Sequence, residues 1–386
     1  MHKSPFCPIH SGVISSFFCS KLILTLLTSL PLALSGCATV KAQYSPVRPH
    51  HTAEGFKNNY IGPIDKGFGE LIRWQRERYA AGLPKPPNTP TPVARPDLSA
   101  IQAYSARKAP AITWIGHAST LVQASGLNVL TDPIFSNRAS PISLIGPVRK
   151  VAPGLALDEL PAIDVVLISH NHYDHLDRPS VLAIAQRSET AGKPTLFLVP
   201  LGMKAWFAGI GISNAIELDW WDSHTHKGVE FNFTPLQHWS ARTLGDRSQT
   251  LWGGYAVFAP DLHWYFAGDA GYSKDFADTG ARFADRHTAA RGGGFDLALI
   301  PIGAYEPRWF LEDQHVNPTE AVQIHRDINA KRSIGIHWGT FELSDESLDQ
   351  PPKDLVLAAS AQGLAGDAFT VMAIGETRFL PARVLP

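Results

Sequence analysis

Cysteine is scarce in this chain. The 386 residues include three cysteines, and Cys7, Cys19 and Cys37 all lie within the first 37 positions. The rest of the chain therefore has no thiol that could form a disulfide, act as a nucleophile or bind zinc as a thiolate. A metal site in the folded part has to use imidazole and carboxylate ligands.

An excess of charge of either sign is also missing. The chain has 34 basic and 35 acidic residues, which give a formal net charge of −1. Binding to nucleic acid usually requires a basic surface, so this balance predicts no nucleic-acid partner. Internal repeats are absent too, and a hydrophobic content of 44% provides for a substantial core.

Long apolar runs are missing as well. The longest run near the N-terminus, residues 22–34, is too short to cross a bilayer comfortably, but it suits the hydrophobic region of a secretory signal. Residues 1–36 contain Lys3 and Lys21 and no acidic residue. This pattern predicts a signal peptide over residues 1–36.

The sequence Leu-Ser-Gly-Cys at 34–37 resembles the lipobox of bacterial lipoproteins. The resemblance implies an acylated Cys37 that anchors the mature protein to a membrane. By resemblance to bacterial sorting rules, Ala38 rather than Asp after the cysteine favours the outer membrane over the inner one. We therefore expect an outer-membrane lipoprotein of the bacterial cell envelope that faces the periplasm. The alternative is an ordinary secreted protein in which Cys37 occurs by chance.

The mature chain divides into three predicted parts. Residues 37–54 are polar and lack periodicity, which is typical of a tether. Residues 55–97 form an N-terminal extension with helical spacing up to residue 79, followed by a proline-rich linker at 83–97. Residues 98–386 are predicted to form the catalytic domain.

Short apolar runs alternate with turn residues in the predicted domain. Strands are predicted at 112–115, 120–123, 128–131, 164–169, 195–199, 215–220, 229–235, 254–258, 263–267, 295–302 and 333–337. Helices are predicted at 178–187, 318–328 and 354–362, of which the second begins with a capping box. Strands that alternate with helices predict an α/β (α+β) fold in which helices cover the sheets.

Four side chains that bind metals follow the predicted strand at 164–169. His170, His172, Asp174 and His175 occur within six residues, at the point where an apolar run enters a loop. A loop at a strand end can direct all four to one side, and imidazole and carboxylate groups suit zinc and related ions. The alternative is a polar loop whose histidines cap the next helix.

Further candidates occur where later strands are predicted to end. His238, Asp269 and His337 each follow such a run. Taken singly, either histidine is equally consistent with a core position and Asp269 with a turn. In this order after the first four, they indicate a site with two metal ions.

The motif His-x-His-x-Asp-His resembles the signature of the metallo-β-lactamase superfamily. The resemblance implies an αβ/βα sandwich with metals at the edge of the sheets. It also implies two zinc ions, one held by His170, His172 and His238 and the other by Asp174, His175 and His337, with Asp269 bridging them.

The sequence leaves the roles of two further residues open. His117 follows an early predicted strand, so it either faces the metals or has a structural role. Asp132 resembles a carboxylate that orients a zinc-binding histidine in this superfamily, and otherwise is a turn residue before Pro133. The histidines at 50, 51, 224, 226, 263, 287 and 325 are interpreted as surface or packing residues.

A closer resemblance covers roughly residues 55–380. The blocks at 132–141, 168–177, 266–272, 300–310, 314–318 and 336–341 are similar to those of the N-acylphosphatidylethanolamine-hydrolysing phospholipase D family. This implies hydrolysis of the lipid to phosphatidic acid and an N-acylethanolamine, with Asp174 and His315 as catalytic residues. Five aromatic residues next to the candidate ligands are possible walls of an acyl-chain groove: Trp239, Trp309, Phe310, Trp338 and Phe341.

Two other functions remain open at this stage. One is hydrolysis of a lactone, a cyclic phosphate or another small ester on the same fold, because metal ligands alone do not determine the substrate. The other is a non-catalytic envelope lipoprotein that metal stabilises.

Overall fold

The computed structural model describes residues 45, 47–104, 109–142 and 144–383. The predicted signal peptide and the predicted acylation of Cys37 lie outside the described residues. Within the described ranges, no helix combines the length and the apolar character needed to cross a membrane.

Sixteen strands occur in the described residues, most of them short. In chain order they are β1 His51–Thr52, β2 Gly55–Phe56, β3 Ala111–Gly116, β4 Ser119–Ala124, β5 Leu127–Thr131, β6 Val165–Leu167, β7 Leu196–Pro200, β8 Ala215–Leu218, β9 Ser223–His226, β10 Val229–Thr234, β11 Gly254–Ala259, β12 Leu262–Phe266, β13 Leu297–Pro301, β14 Ser333–Ile336, β15 Phe369–Thr370 and β16 Thr377–Phe379.

Eight α-helices accompany these strands in the described part of the chain. They are α1 Phe68–Ala81, α2 Leu98–Gln102, α3 Arg178–Thr190, α4 Lys204–Gly209, α5 Asp275–Arg282, α6 Arg308–Leu311, α7 Pro318–Asp327 and α8 Gln350–Ala361.

Two seven-stranded sheets make up the body of the fold. The first has the strand order β16-β3-β4-β5-β6-β7-β8 and the second has the order β15-β14-β13-β12-β11-β10-β9. In the first sheet, β3, β4 and β5 are antiparallel neighbours, whereas β5 to β8 are parallel. The second sheet has the same combination, with β9 to β12 antiparallel and β12 to β15 parallel.

Hydrophobic side chains from both sheets form one continuous core. Val165 and Leu167 of the first sheet belong to the same buried cluster as Phe231 and Tyr255 of the second. The other face of the first sheet packs separately, with Val166 in a cluster that includes residues of α3 and α4. Strands that are buried on both faces read as continuous apolar runs, as the sequence predicted for β6. The metallo-β-lactamase αβ/βα sandwich is thereby confirmed.

Most of the predicted elements occur, with shifted ends. The predicted strand at 164–169 is shorter, since β6 ends at Leu167, and the helix predicted at 354–362 begins earlier, at Gln350. Prolines lie in the first turn of α8, where a backbone N–H would have no partner within the helix in any case. Strands β1, β2, β9, β15 and β16 and the short helices α2, α4, α5 and α6 were not predicted.

The described end of the predicted tether packs against the domain, and this corrects the prediction for residues 47–54. His50 and His51 are buried, and β1 pairs with β2. The Nε2 atoms of His50 and His51 lie 2.6 and 2.9 Å from the two carboxylate oxygens of Asp219. The two histidines of this segment therefore belong to a buried hydrogen-bond network.

His287 makes part of the stability dependent on pH. Its ring lies against Phe295, with centroids 4.4 Å apart, and neither ring nitrogen has a partner among the described residues. Burial and the positive charge of Arg383 lower the pKa of His287 to about 4. His287 therefore binds a proton more readily in the unfolded chain than in the folded protein. The contribution of its neutral ring to the free energy of unfolding is complete above the unfolded pKa and is lost as the pH falls toward 4.

We expect His287→Phe to lose less stability than the parent between pH 6.5 and 4, because the phenyl ring keeps the packing and binds no proton. Chemical denaturation at several pH values measures this difference. Parallel curves for the two proteins over this range would contradict it.

Candidate metal centre

The candidate ligands lie at the ends of strands, where the backbone turns sharply. His117 after β3, Asp132 after β5 and His337 after β14 all have positive φ angles, of 54°, 32° and 62°. Such angles are costly for residues other than glycine and concentrate at functional sites. A side chain added at Gly268 would lie 2.5 Å from the Cβ of Ser169, so only glycine fits before Asp269.

The first group contains three histidines. The Nδ1 atom of His172 lies 2.8 Å from Nε2 of His170 and 3.4 Å from Nε2 of His238. Burial is the main cause that lowers the pKa of all three residues, to about 4 for His172 and about 3 for His238. The rings are therefore neutral at neutral pH, as metal ligation requires.

Outer partners orient two of these rings. Nδ1 of His238 is 2.9 Å from the carbonyl oxygen of Gln314, which can only accept, so His238 donates from Nδ1. The Ser169 hydroxyl donates to Asp132 and lies 2.9 Å from Nδ1 of His170, whose N–H it accepts. In both rings the Nε2 lone pair is then left free to face the cluster. Partners of this kind set the tautomer of metal-binding histidines.

The second group contains Asp174, His175 and His337, together with His117. One carboxylate oxygen of Asp174 lies 2.9 Å from Nε2 of His117, 3.3 Å from Nε2 of His175 and 3.5 Å from Nε2 of His337. His175 is oriented by Asp132, whose carboxylate lies 2.7 Å from its Nδ1. The structure therefore places Asp132 beside a candidate ligand, and it brings His117, left open by the sequence, into the cluster.

Asp269 contacts two of the three histidines of the second group, His175 and His337. Its two oxygens lie 3.0 Å from Nε2 of His175 and 3.1 Å from Nε2 of His337. Burial acts to lower the pKa of His175 and His337, but the negative charge of Asp269 together with Asp174 outweighs it and raises the pKa of His337 to about 9. The rings of His170 and His175 are 4.2 Å apart, so the two groups adjoin. The bridging role of Asp269 stays a prediction.

His315 lies beside both groups. Its ring centroid is 5.5 Å from those of His238 and His337, and its Nδ1 is 3.8 Å from a carboxylate oxygen of Asp269. Burial lowers the pKa of His315 to about 3, and Nδ1 has no hydrogen-bond partner among the described residues. The structure thus brings all eight candidate site residues of the sequence analysis into one place.

Three of the five residues of the proposed aromatic groove are buried, and the groove stays a prediction. Trp338 is buried against Trp114, Phe310 is buried against Trp74, and Phe341 is buried beside His117. These rings belong to the core. Two indoles remain at least partly exposed: Trp239, whose ring is 4.4 Å from that of His172, and Trp309.

A third group of potential ligands, His50, His51 and Asp219, has a different character. Nδ1 of His51 accepts a hydrogen bond from the backbone N–H of Ser45, so the proton of the neutral ring sits on Nε2 and is donated to Asp219. Arg48 is 3.6 Å from the same carboxylate. Both observations favour a hydrogen-bonded contact between His51 and Asp219, here called the His51 latch, over a cation site.

The residues of the first two groups are suited to bind a metal ion. Among the described residues, Nε2 of His175, Nε2 of His337 and Oδ1 of Asp269 are buried without a hydrogen-bond partner, although they lie close together. Buried polar groups without partners are rare, and ligation of a cation would satisfy them. A donor set of imidazoles and carboxylates suits zinc, iron and related ions, as the sequence predicted.

Known proteins resemble this chain in sequence and fold. A Beta-lactamase superfamily domain profile matches residues 127–338. The N-acyl-phosphatidylethanolamine-hydrolyzing phospholipase D 1 of Caenorhabditis elegans is 38% identical over 276 residues, which cover 68% of this chain and 74% of that protein. The mitochondrial protein of that activity in Saccharomyces cerevisiae is 35% identical over 274 residues, covering 69% of this chain and 55% of its own.

A solved structure shares the fold. A possible metal-dependent hydrolase from Veillonella parvula DSM 2008 matches with a TM-score of 0.55 at 17% identity, over 70% of this chain and all of its own. With the convergent histidines and carboxylates, these similarities account for the site: the chain belongs to the metallo-β-lactamase superfamily and is a metal-dependent hydrolase.

Proposed function

We propose that this protein is a zinc-dependent phosphodiesterase of the phospholipase D type. Its substrate would be an N-acylphosphatidylethanolamine or a similar phospholipid, and its products phosphatidic acid and an N-acylethanolamine. The observation that carries the proposal is the 38% identity to the nematode enzyme over two thirds of the chain. The presence of the full predicted ligand set in one cluster supports it.

Two zinc ions would be held by the first and second groups of ligands. When bound, they would supply Lewis acidity at a phosphoryl oxygen and a water made acidic enough to attack at neutral pH. Asp132 would keep His175 in the tautomer that presents Nε2, and the carbonyl of Gln314 would do the same for His238. His315 would offer a neutral imidazole to a phosphoryl oxygen or to the leaving alkoxide.

Product analysis tests this proposal. The purified, zinc-loaded full chain is incubated with N-acylphosphatidylethanolamine in detergent micelles, and the products are identified by mass spectrometry. Phosphatidic acid and N-acylethanolamine from the parent, and neither product after removal of the metal with a chelator, are the expected result. Zinc binding without cleavage of this lipid would contradict the proposed substrate and direct the search to lactones and cyclic phosphates. Zinc binding without turnover of any ester would favour the envelope lipoprotein without catalysis.

The proposed location in the outer membrane depends on Cys37. We expect Cys37→Ala to release the protein from membranes while the rate on micellar substrate is retained, because acylation contributes anchoring alone. Fractionation of cells that express the parent or the variant measures this. Membrane retention of the variant would contradict the lipobox prediction.

A further inference from the structure

Residues 48–66, here called the N-terminal strap, lie against the domain that carries the metal centre. At one end, Arg48 donates to the carbonyl oxygen of Trp220 at 2.9 Å, next to the His51 latch. In the middle, the backbone N–H of Phe56 donates to the carbonyl oxygen of Ser248 at 2.8 Å. At the other end, Lys66 pairs with Asp313 at 3.0 Å. The strap lies outside residues 127–338, which match the family profile.

Asn58 in this strap forms a two-way pair with the backbone of His238. Its Nδ2 donates to the carbonyl oxygen of His238 at 3.0 Å, and its Oδ1 accepts from the backbone N–H of His238 at 3.0 Å. The indole N–H of Trp252 also donates to Oδ1, at 3.2 Å. Both N–H groups that meet Oδ1 can only donate, so the orientation of the amide is determined.

Among the residues that the structure describes, little else holds the backbone of His238. β10 ends four residues earlier, at Thr234, and the nearby bridge pairs Gln237 rather than His238 with Gly271. The side chain of Asn58 therefore takes the place that a neighbouring strand would have, and it is itself buried. Its amide and the carbonyl of Gln314 together determine where Nε2 of His238 points.

We propose that Asn58 is a positioning residue for the metal ligand His238, so that the N-terminal strap completes the first metal group. This inference rests on the metal-binding role proposed for His238. Without the amide, the backbone N–H and C=O of His238 lose their partners inside the protein, and the ring loses its fixed position opposite His172. Loss of a residue that orients a ligand typically weakens metal binding by about 10–100-fold.

Zinc titration of the metal-free full chain against a chromophoric chelator tests the proposal. The variants are Asn58→Ala, His238→Ala as the reference for loss of the ligand, and two controls in the strap. Asn59→Ala changes the adjacent asparagine, which is exposed and donates to Asp275. His51→Ala breaks the latch on Asp219 and so loosens the strap away from the metal groups.

We expect Asn58→Ala to weaken, by about 10–100-fold, the same zinc-binding step that His238→Ala weakens. Asn59→Ala should bind zinc like the parent. His51→Ala should unfold at a lower temperature but bind zinc like the parent. The visible absorption of the cobalt-substituted protein, which reports ligand geometry, should change in Asn58→Ala and not in the two controls.

Three results would overturn the proposal. Parental zinc affinity in Asn58→Ala, alongside a loss in His238→Ala, would show that the ligand needs no help from the strap. Losses of affinity in Asn58→Ala and His51→Ala that follow their losses of thermal stability would show a general effect of folding. Parental affinity in His238→Ala would remove the ligand and the inference together. Because none of the readouts is turnover of a substrate, failure of the proposed lipid substrate leaves this test intact.

Discussion

Replacement of Asp174 by asparagine is expected to lower kcat/KM by more than about 100-fold, since loss of a residue that only orients a metal ligand already costs up to about that much. One oxygen of Asp174 lies within 3.5 Å of Nε2 atoms of His117, His175 and His337. Asparagine keeps the size but removes the negative charge that a divalent cation requires. Steady-state kinetics on the proposed lipid substrate and zinc content by atomic absorption measure the two effects.

The fold should survive this change, because buried strands of both sheets supply the core. Asp278→Asn is a matched control, since Asp278 lies on α5, pairs with Lys274 just before that helix and is not a candidate ligand. The control should retain the parental rate and zinc content. Full activity of Asp174→Asn would contradict the assignment of Asp174, and equal losses in both variants would indicate a nonspecific effect.

Local signals explain which parts of the fold the sequence predicted well. Helix α7 was predicted at 318–328 and runs from Pro318 to Asp327, because Asn317 and Glu320 form a capping box that is visible in the sequence. Strand β6 was recognised from an apolar run that the two faces of a sandwich require. Both depend on residues within one short stretch.

Elements that depend on distant partners were missed. Strand β16 exists because residues 377–379 pair with β3, more than 250 positions earlier in the chain. Strand β9, by contrast, pairs with β10, which follows it after two residues, and it was missed because its sequence, Ser-His-Thr-His, has no apolar pattern. The described end of the predicted tether was misjudged because its buried histidines depend on Asp219, which lies far along the chain.

The candidate site divides in a similar way. The order of histidines and carboxylates after successive strands predicted which residues meet, because strand ends share one edge of a sheet. It did not reveal which residues support them. His117 reaches the second group through a backbone with a φ of 54°, and Asn58 contacts His238 across 180 positions of sequence. The position of His117 after a predicted strand left its role open in the sequence, whereas the contact of Asn58 leaves no local signal.

His315 is the residue whose replacement should separate catalysis from metal binding. Its imidazole is neutral at neutral pH, because burial lowers its pKa to about 3. A neutral ring has one N–H, which can donate a hydrogen bond to a phosphoryl oxygen, and one lone pair, which can accept a proton. We expect His315→Ala to lower kcat by about 10²–10⁴-fold, the usual range for such a group, while zinc binding stays at the parental level.

Zinc titration beside steady-state kinetics measures both quantities. His325→Gln is the control, since His325 is a buried histidine on α7 whose Nδ1 is paired with the hydroxyl of Ser333 at 2.8 Å, and it is not a candidate ligand. The control should keep both the rate and the zinc affinity. If zinc affinity in His315→Ala falls together with kcat, then His315 binds metal beside Asp269 and His337, and a catalytic role that is independent of the metals is wrong. If kcat is unchanged, His315 only packs against the site.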